Sequence, residues 1–255
     1  MNKISPVIPT VFPSDQVICG FTTRYGGVSL SPFDELNLCY ETIDEQNSVK
    51  KNYDLLCCLL GVEAENIRVM EQAHTCNIDI VESGGISKAA DGLVTSTPGI
   101  ILGIQIADCI PLLLYDPVHG VTASVHCGWR SLVNGIAEKA VNIMVGHRSG
   151  TLGNNNARPA DIIAAMGPSA GPCCYEIGDE VAMRLHSGSV VERDSRLFGD
   201  LRTELALRLM KAGLKEHSIE VFSDCTICNS SLYYSHRRDG SLSGRMLGYI
   251  MIKSN

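Results

Sequence analysis

The feature that most constrains this chain is a pair of long apolar runs near its middle. "GIILGIQIADCIPLLLYD" covers Gly99 to Asp116, and "VTASVHC" follows from Val121 to Cys127. A strand with one wet face alternates apolar and polar residues, whereas these segments are apolar on both sides. They therefore predict strands covered on both faces. The few polar residues that interrupt them need a reason, because an imidazole, a thiol or a carboxylate is costly to bury without a partner.

The same reading marks strands at Gly99–Ile106, Ile110–Tyr115, Val121–Val125, Asp161–Met166, Ile219–Ser223 and Met246–Ile252. Helices are predicted at Asn47–Leu60, stopped by Gly61, at Ser131–Met144, and at Phe198–Ala212, stopped by Gly213. On the last, Glu204 and Arg208 are spaced to pair on an outer face. The loop Arg148–Ala160 reads as a flexible surface insertion. No internal repeat appears. The pattern predicts an α+β fold, with mixed β-sheets covered by helices in a single layered domain spanning residues 1–255.

A chain of 255 residues with 45% hydrophobic content can build such a core, and 5% aromatic content makes it mostly aliphatic. With 28 acidic against 21 basic residues the net charge is −7, so nucleic acid and anionic membrane surfaces are not expected partners. The prolines of "MNKISPVIPTVFPSD" break any signal-peptide pattern, and no run reaches the roughly 18 apolar residues of a membrane span. The expectation is a cytoplasmic protein. Its 11 cysteines, an odd number, then read as free thiols, most of them small core residues, with Cys57 and Cys58 the clearest instances.

The interruptions are His74 in "QAHT", Asp108 and Cys109 in "ADC", and His126 in "VHCGWR". Each stands at the edge of an apolar stretch. Two imidazoles and one thiol suit zinc, and three protein ligands leave a fourth position open, the pattern of a catalytic site. Their separations of 35 and 17 positions match no finger or ribbon, however, and a single His or Cys in a strand is usually a packed core residue. The residues alone leave the choice open.

Seven motifs carry more. "TTRYGGVS" (Thr22–Ser29), "QAHT" (Gln72–Thr75), "ADGLVT" (Ala90–Thr95), "ADCIPLLLYD" (Ala107–Asp116), "HCGWR" (His126–Arg130), "GPSAGPCCYEI" (Gly167–Ile177) and "YSHRRDG…GR" (Tyr234–Arg245) occur in that order. From about Phe21 to Ile252 the chain resembles the laccase-domain family, the YfiH-like proteins first labelled polyphenol oxidoreductases. The resemblance implies an α+β fold and a zinc site, one ion per chain, held by His74, Cys109 and His126. It also implies purine nucleoside phosphorylase activity on purine nucleosides and phosphate, with adenosine deaminase and methylthioadenosine phosphorylase activities at the same site. Two positions depart from the family pattern. Cys127 replaces a small residue and adds a thiol beside the metal, as an alternative ligand or an oxidation partner for Cys109. Thr75 replaces a glycine and is expected to narrow the pocket.

Phosphorolysis needs a held phosphate, and the planar guanidinium fork suits that task. Arg24, followed by two glycines, is the first candidate, with Gln72, Arg237 and Arg245 as further substrate- or phosphate-binding positions. Asp108 is expected either to shuttle a proton or to steady the site from behind, and Cys109 is the catalytic thiol position. Three other readings compete. One is a cysteine hydrolase with Cys109 as nucleophile and His126 as base. Another is a copper-dependent polyphenol oxidase, disfavoured because a multicopper cluster needs many His-x-His pairs. The third is a binding module in which zinc is only a brace. Elsewhere, Cys225 and Cys228 form a C-x-x-C that is a weak zinc signal without a partner pair, Cys173 and Cys174 read as packing, and Trp129 seals the core. His119, His147, His186 and His217 read as surface residues.

Overall fold

The structure, a computed structural model, describes residues 3–146 and 157–254. The first sheet holds five strands: β1 (Val17–Phe21), β2 (Ile67–Met70), β4 (Gly85–Ser87), β6 (Ile101–Ile106) and β14 (Met246–Ile252), in the order β1-β14-β6-β2-β4. The second holds six: β3 (Ile78–Ile80), β5 (Gly92–Thr95), β7 (Ile110–Asp116), β8 (Val121–Cys127), β9 (Ile163–Met166) and β13 (Ile219–Val221), in the order β13-β9-β7-β8-β5-β3. A small third sheet is formed by β10 (Glu176–Ile177), β11 (Val190–Arg193) and β12 (Arg196–Gly199). The helices are α1 (Gln46–Leu60), α2 (Trp129–Val133), α3 (Ile136–Gly146), α4 (Asp179–Ala182), α5 (Leu201–Lys211) and α6 (His236–Asp239). None is long and apolar enough to cross a membrane.

The apolar runs are explained by what covers them. On β7, Leu112 and Leu114 pack with α3 and α5 residues such as Ile136, Ala140, Leu205 and Leu209. The intervening Leu113 faces the other way, into a cluster with Leu102, Ile104 and Ile250 of the first sheet. Ile101 and Leu247 cover the far face of that sheet with Val49, Tyr53 and Leu56 of α1. Because side chains alternate along a strand, the layers stack as helix, sheet, sheet, helices. All seven residues of β7 and of β8 are buried. This is the α+β fold expected from the sequence.

Several elements differ in detail. The helix expected over Ser131–Met144 is broken at Asn134–Gly135, where Gly135 takes φ +87, so α2 and α3 are separate. The helix expected from Phe198 starts at Leu201, because Asp200 caps it by accepting from the backbone N–H groups of Arg202 and Thr203. Phe198 and Gly199 instead belong to β12. Glu204 and Arg208 do pair, at 2.8 Å, but Glu204 is fully buried and receives the His186 N–H as well, so the pair lies inward rather than on an outer face. The strand expected from Asp161 begins at Ile163 after a turn at Pro159–Asp161, and the one expected through Ser223 ends at Val221. Cys57 is buried, whereas Cys58 is exposed. The expected loop Arg148–Ala160 lies mostly, and His147 wholly, outside the described residues.

Candidate metal centre

Register brings the polar interruptions together. β7 and β8 pair antiparallel with Pro111 opposite His126 and Ile110 opposite Cys127. Cys109, the next residue out, therefore stands beside the end of β8. His74 arrives on the loop after β2. Ring nitrogens of His74 and His126 and the Cys109 sulfur lie within 4.8 Å of one another, and the two imidazole rings meet edge-on with centroids 4.8 Å apart. His126 is buried, Cys109 half-buried and His74 exposed.

Gly128 makes this approach possible. A Cβ there would stand 2.6 Å from His74 Nδ1 and 3.3 Å from the Cys109 sulfur, so any larger residue would push two of the three groups apart. His74 (φ 56) and Asp108 (φ 92) both hold left-handed backbone, which non-glycine residues seldom adopt. Such strain persists only where the surroundings impose it, and it clusters at functional positions.

Asp91, which the sequence reading quoted only within "ADGLVT", proves to be the organiser. Its carboxylate accepts from the N–H groups of Ala73 (3.2 Å), His74 (3.0 Å) and Thr75 (2.6 Å), from the Thr75 hydroxyl (2.9 Å), and pairs with His126 Nδ1 at 2.8 Å. It thus fixes the His74 loop and the His126 ring at once and leaves His126 Nε2 free for the side of Cys109, whose sulfur lies within 4.8 Å of the ring nitrogens. Burial alone would raise Asp91, but the bonds from His126 and Thr75 outweigh it and hold the carboxyl at about 2. Burial would likewise strip the His126 proton, yet Cys109 and Asp91 raise that imidazole to about 9. His74 is pushed down, by burial first and by His126 second, which leaves it neutral and free to donate its lone pair at neutral pH. An N,N,S donor set with a carboxylate behind one imidazole suits a zinc ion. The residues fit the metal.

A cavity of about 360 Å³ opens over the three groups, lined also by Gln72, Gln105, Asp108, His236, Arg237 and Arg245. Gln72 is held at both ends, its amide nitrogen donating to Gln105 O at 2.9 Å and its oxygen accepting from Gln105 N at 2.8 Å. Asp108 accepts from the Thr226 hydroxyl and from Arg237 N, each at 2.6 Å. Arg237 lies over the Tyr175 ring at 4.9 Å and donates from Nη1 to Glu176 O, and Arg245 donates from Nη1 to Ser243 O and Gly244 O. His236 was missed from sequence, although it stands within "YSHRRDG"; nothing in its local pattern separates it from a surface histidine.

Three expectations about the site need correction. Arg24 is not at the cavity. Its Nε donates to Asp34 O (2.8 Å), its Nη1 to Ser230 O (2.9 Å), and its guanidinium lies over the Tyr234 ring at 4.7 Å. Its donors tie two loops together, and a Cβ on Gly26 would meet Ile4 while one on Gly27 would meet Glu35 O and Asn52. Cys127 is not among the three groups that converge. As the strand neighbour of His126 it faces the opposite side, fully buried with Ile136 and Ala140, and burial raises its thiol well above the ordinary range. Thr75 turns toward Asp91 and does not line the cavity. Trp129 packs against the helix-side core under Arg130, as expected of a sealing residue. His217 is exposed, whereas His119 is half-buried against Asp116 and His186 bonds to Glu204.

Fold and cleft together define a class. A family model described as multi-copper polyphenol oxidoreductase laccase matches residues 18–253, and the chain belongs to that family. Among its relatives are the purine nucleoside phosphorylase YlmD of Bacillus subtilis, 33% identical over 93% of this chain and 89% of that one, and a purine nucleoside phosphorylase of Deinococcus radiodurans, 36% identical over 93% and 90%. The crystal structure of the YfiH protein of Bacillus licheniformis superposes with a TM-score of 0.86 at 32% identity, covering 93% of both chains.

Proposed function

We propose that this protein is a zinc-dependent purine nucleoside phosphorylase that cleaves adenosine, inosine and guanosine with phosphate, and that also deaminates adenosine and phosphorolyses methylthioadenosine. The observation that carries the reading is the convergence of His74, Cys109 and His126 at the floor of a cavity of about 360 Å³, within the range of small-molecule sites. The names of the relatives supply the substrate class. His74, Cys109 and His126 would hold the zinc, which when bound supplies Lewis acidity.

The chain's own residues divide the remaining work. Phosphorolysis places phosphate against an anomeric carbon while positive charge develops on the sugar. Arg237 and Arg245 line the cavity, and each is steadied by carbonyls that take Nη1, so a fixed guanidinium fork is offered to an anion. Asp108 keeps a lone pair on each oxygen beside the bonds from Thr226 and Arg237, so it can take and return a proton at its carboxylate. Gln72, fixed at both ends, shapes the wall against which the purine sits.

The deciding experiment incubates zinc-loaded protein with adenosine or inosine, with and without phosphate, and follows free base and sugar phosphate. Phosphate-dependent base release is expected. Oxidation of phenols at stoichiometric copper, with no base release, would overturn the reading. The approach of the Cys109 sulfur to a His126 ring nitrogen, within 4.8 Å, favours one second reading, a cysteine hydrolase with that pair as nucleophile and base. It requires activity to survive removal of the metal.

A further inference from the structure

A second cluster lies apart from the three-residue centre. The sulfurs of Cys173, Cys174, Cys225 and Cys228 all fall within 4.8 Å of one another, with Cys174 to Cys228 at 3.1 Å and Cys173 to Cys228 at 3.4 Å. All four are free thiols. The partner pair that the C-x-x-C lacked in the sequence is thus supplied by "PCC", 51 positions upstream of Cys225 at its nearer residue.

The topology explains how the pairs meet. β9 and β13 are parallel neighbours, with Met166 opposite Val221. The segments that leave their C-terminal ends stay together through a further parallel bridge between Ser169 and Cys225. Each then turns: Cys174 N and Tyr175 N donate to Gly171 O, and Asn229 N donates to Cys225 O. The nearly buried Arg202 staples both segments from below, donating to Ser169 O and Asp224 O at 2.6 Å each and to Ser223 O at 2.8 Å. Gly171 N points at the Cys225 sulfur at 3.3 Å.

We propose that Cys173, Cys174, Cys225 and Cys228 form a second metal site, a tetrathiolate that binds zinc and clamps the two turns together. Zinc–sulfur bonds near 2.3 Å in tetrahedral geometry separate the sulfurs by about 3.8 Å, which the observed 3.1 to 4.8 Å bracket. Four sulfurs with no imidazole select a soft ion and leave no position for substrate, so the site braces the fold. Guanidinium charge from Arg202 and N–H donors to sulfur offset the excess negative charge of four thiolates. The brace has a consequence next door. Thr226, between the C-x-x-C cysteines, and Ala170, just before "GPCC", both hold Asp108, through its carboxylate and its backbone carbonyl.

The test is metal content, independent of any activity. Protein prepared under reductant with zinc should carry about two equivalents per chain. The variant His74→Ala/Cys109→Ala/His126→Ala should keep about one, and cobalt added to it should give the intense visible bands and thiolate charge transfer of a four-sulfur tetrahedral site. Cys225→Ser/Cys228→Ser should lose that equivalent. Should this variant fail to fold, alkylation of the wild type decides: zinc should shield the four cysteines, and a chelator should expose them. A triple variant free of metal, equal labelling with and without zinc, or a disulfide within the cluster in reduced protein would each overturn the proposal.

Discussion

The two clusters of side chains that could hold a metal differ in the way expected of a working centre and a brace. At the ends of β7 and β8, two nitrogens and one sulfur meet, one imidazole is exposed, and a cavity opens over them. At the ends of β9 and β13, four sulfurs meet on two turns already pinned by a buried arginine. Three donors leave a position for chemistry and four do not. The first cluster also has a carboxylate behind its buried imidazole, whereas the second has the Gly171 backbone N–H at its Cys225 sulfur. Carboxylate support makes a histidine a better ligand, and amide support spreads charge that four thiolates would otherwise concentrate.

The comparison can be broken hardest at the first cluster. Cys109→Ala or His126→Ala should remove its metal and lower base release by about three orders of magnitude, since Lewis-acid help is worth several kcal/mol. Far-ultraviolet circular dichroism should be unchanged, and the metal at the cysteine cluster should remain. A wild-type rate in either variant would show that the first cluster is not the reacting centre.

A smaller loss is expected at Asp91. Asp91→Asn keeps the shape but weakens support for His126 and the His74 loop, so zinc affinity should fall by about 10–100-fold in a competition titration. The cysteine cluster should not respond.

Acid should weaken both clusters, since thiolates as well as imidazoles take up protons. In the metal-free protein His126 holds its proton up to about 9. A folded-state value raised above the unfolded one, near 6.5, stabilises the fold below about 6.5 and loses that contribution as pH rises through about 9. Zinc must displace that proton and any proton on the Cys109 sulfur, so each unit of falling pH below about 9 should cost the first site at least about tenfold in affinity. Asp91 has the opposite sign. Its value of about 2 lies below the unfolded range, so its stabilisation is present above about 3.9 and is lost only as pH falls toward 2. A zinc affinity flat between pH 9 and 6 would rule out displacement of the imidazole proton.

The arginine that sequence reasoning favoured provides a gentler check. Arg24→Ala breaks bonds to two backbone carbonyls, so thermal unfolding should reveal a loss of about 1–3 kcal/mol. The Michaelis constant for phosphate should stay within about twofold of wild type, whereas Arg237→Ala and Arg245→Ala should raise it. The smallest effect belongs to Cys127→Ala, which opens a small core void at a cost of about 1 kcal/mol and leaves zinc content and turnover intact.

Much of the first centre was legible because its members interrupt apolar strands, where a polar group must be explained. Asp91 was less so. It opens an apolar strand as an ordinary turn residue does, and only the folded chain reveals that it receives three backbone N–H groups, a hydroxyl and an imidazole. Arg24 misled for a related reason: a guanidinium beside two glycines looks the same whether its donors meet a phosphate or two carbonyls. The break at Gly135 and the capped start of α5 at Asp200 show a similar limit, since apolar spacing continues through residues whose backbone does not.

The sequence by itself determined the layered architecture. Runs apolar on both sides have no stable place except between two covering layers, and the free energy of burying them exceeds any local preference. It also supplied the nitrogen and sulfur donors of the first centre, although the residues alone left open whether they meet. Only the tertiary structure decided which donors meet. The register of β7 on β8 brings Cys109 to His126 and turns Cys127 to the opposite face. The parallel pairing of β9 and β13 carries two cysteine pairs, far apart in sequence, into one cluster. Proximity of that kind is set by strand order and pairing, which are properties of the whole sheet and are written in no single stretch of the chain.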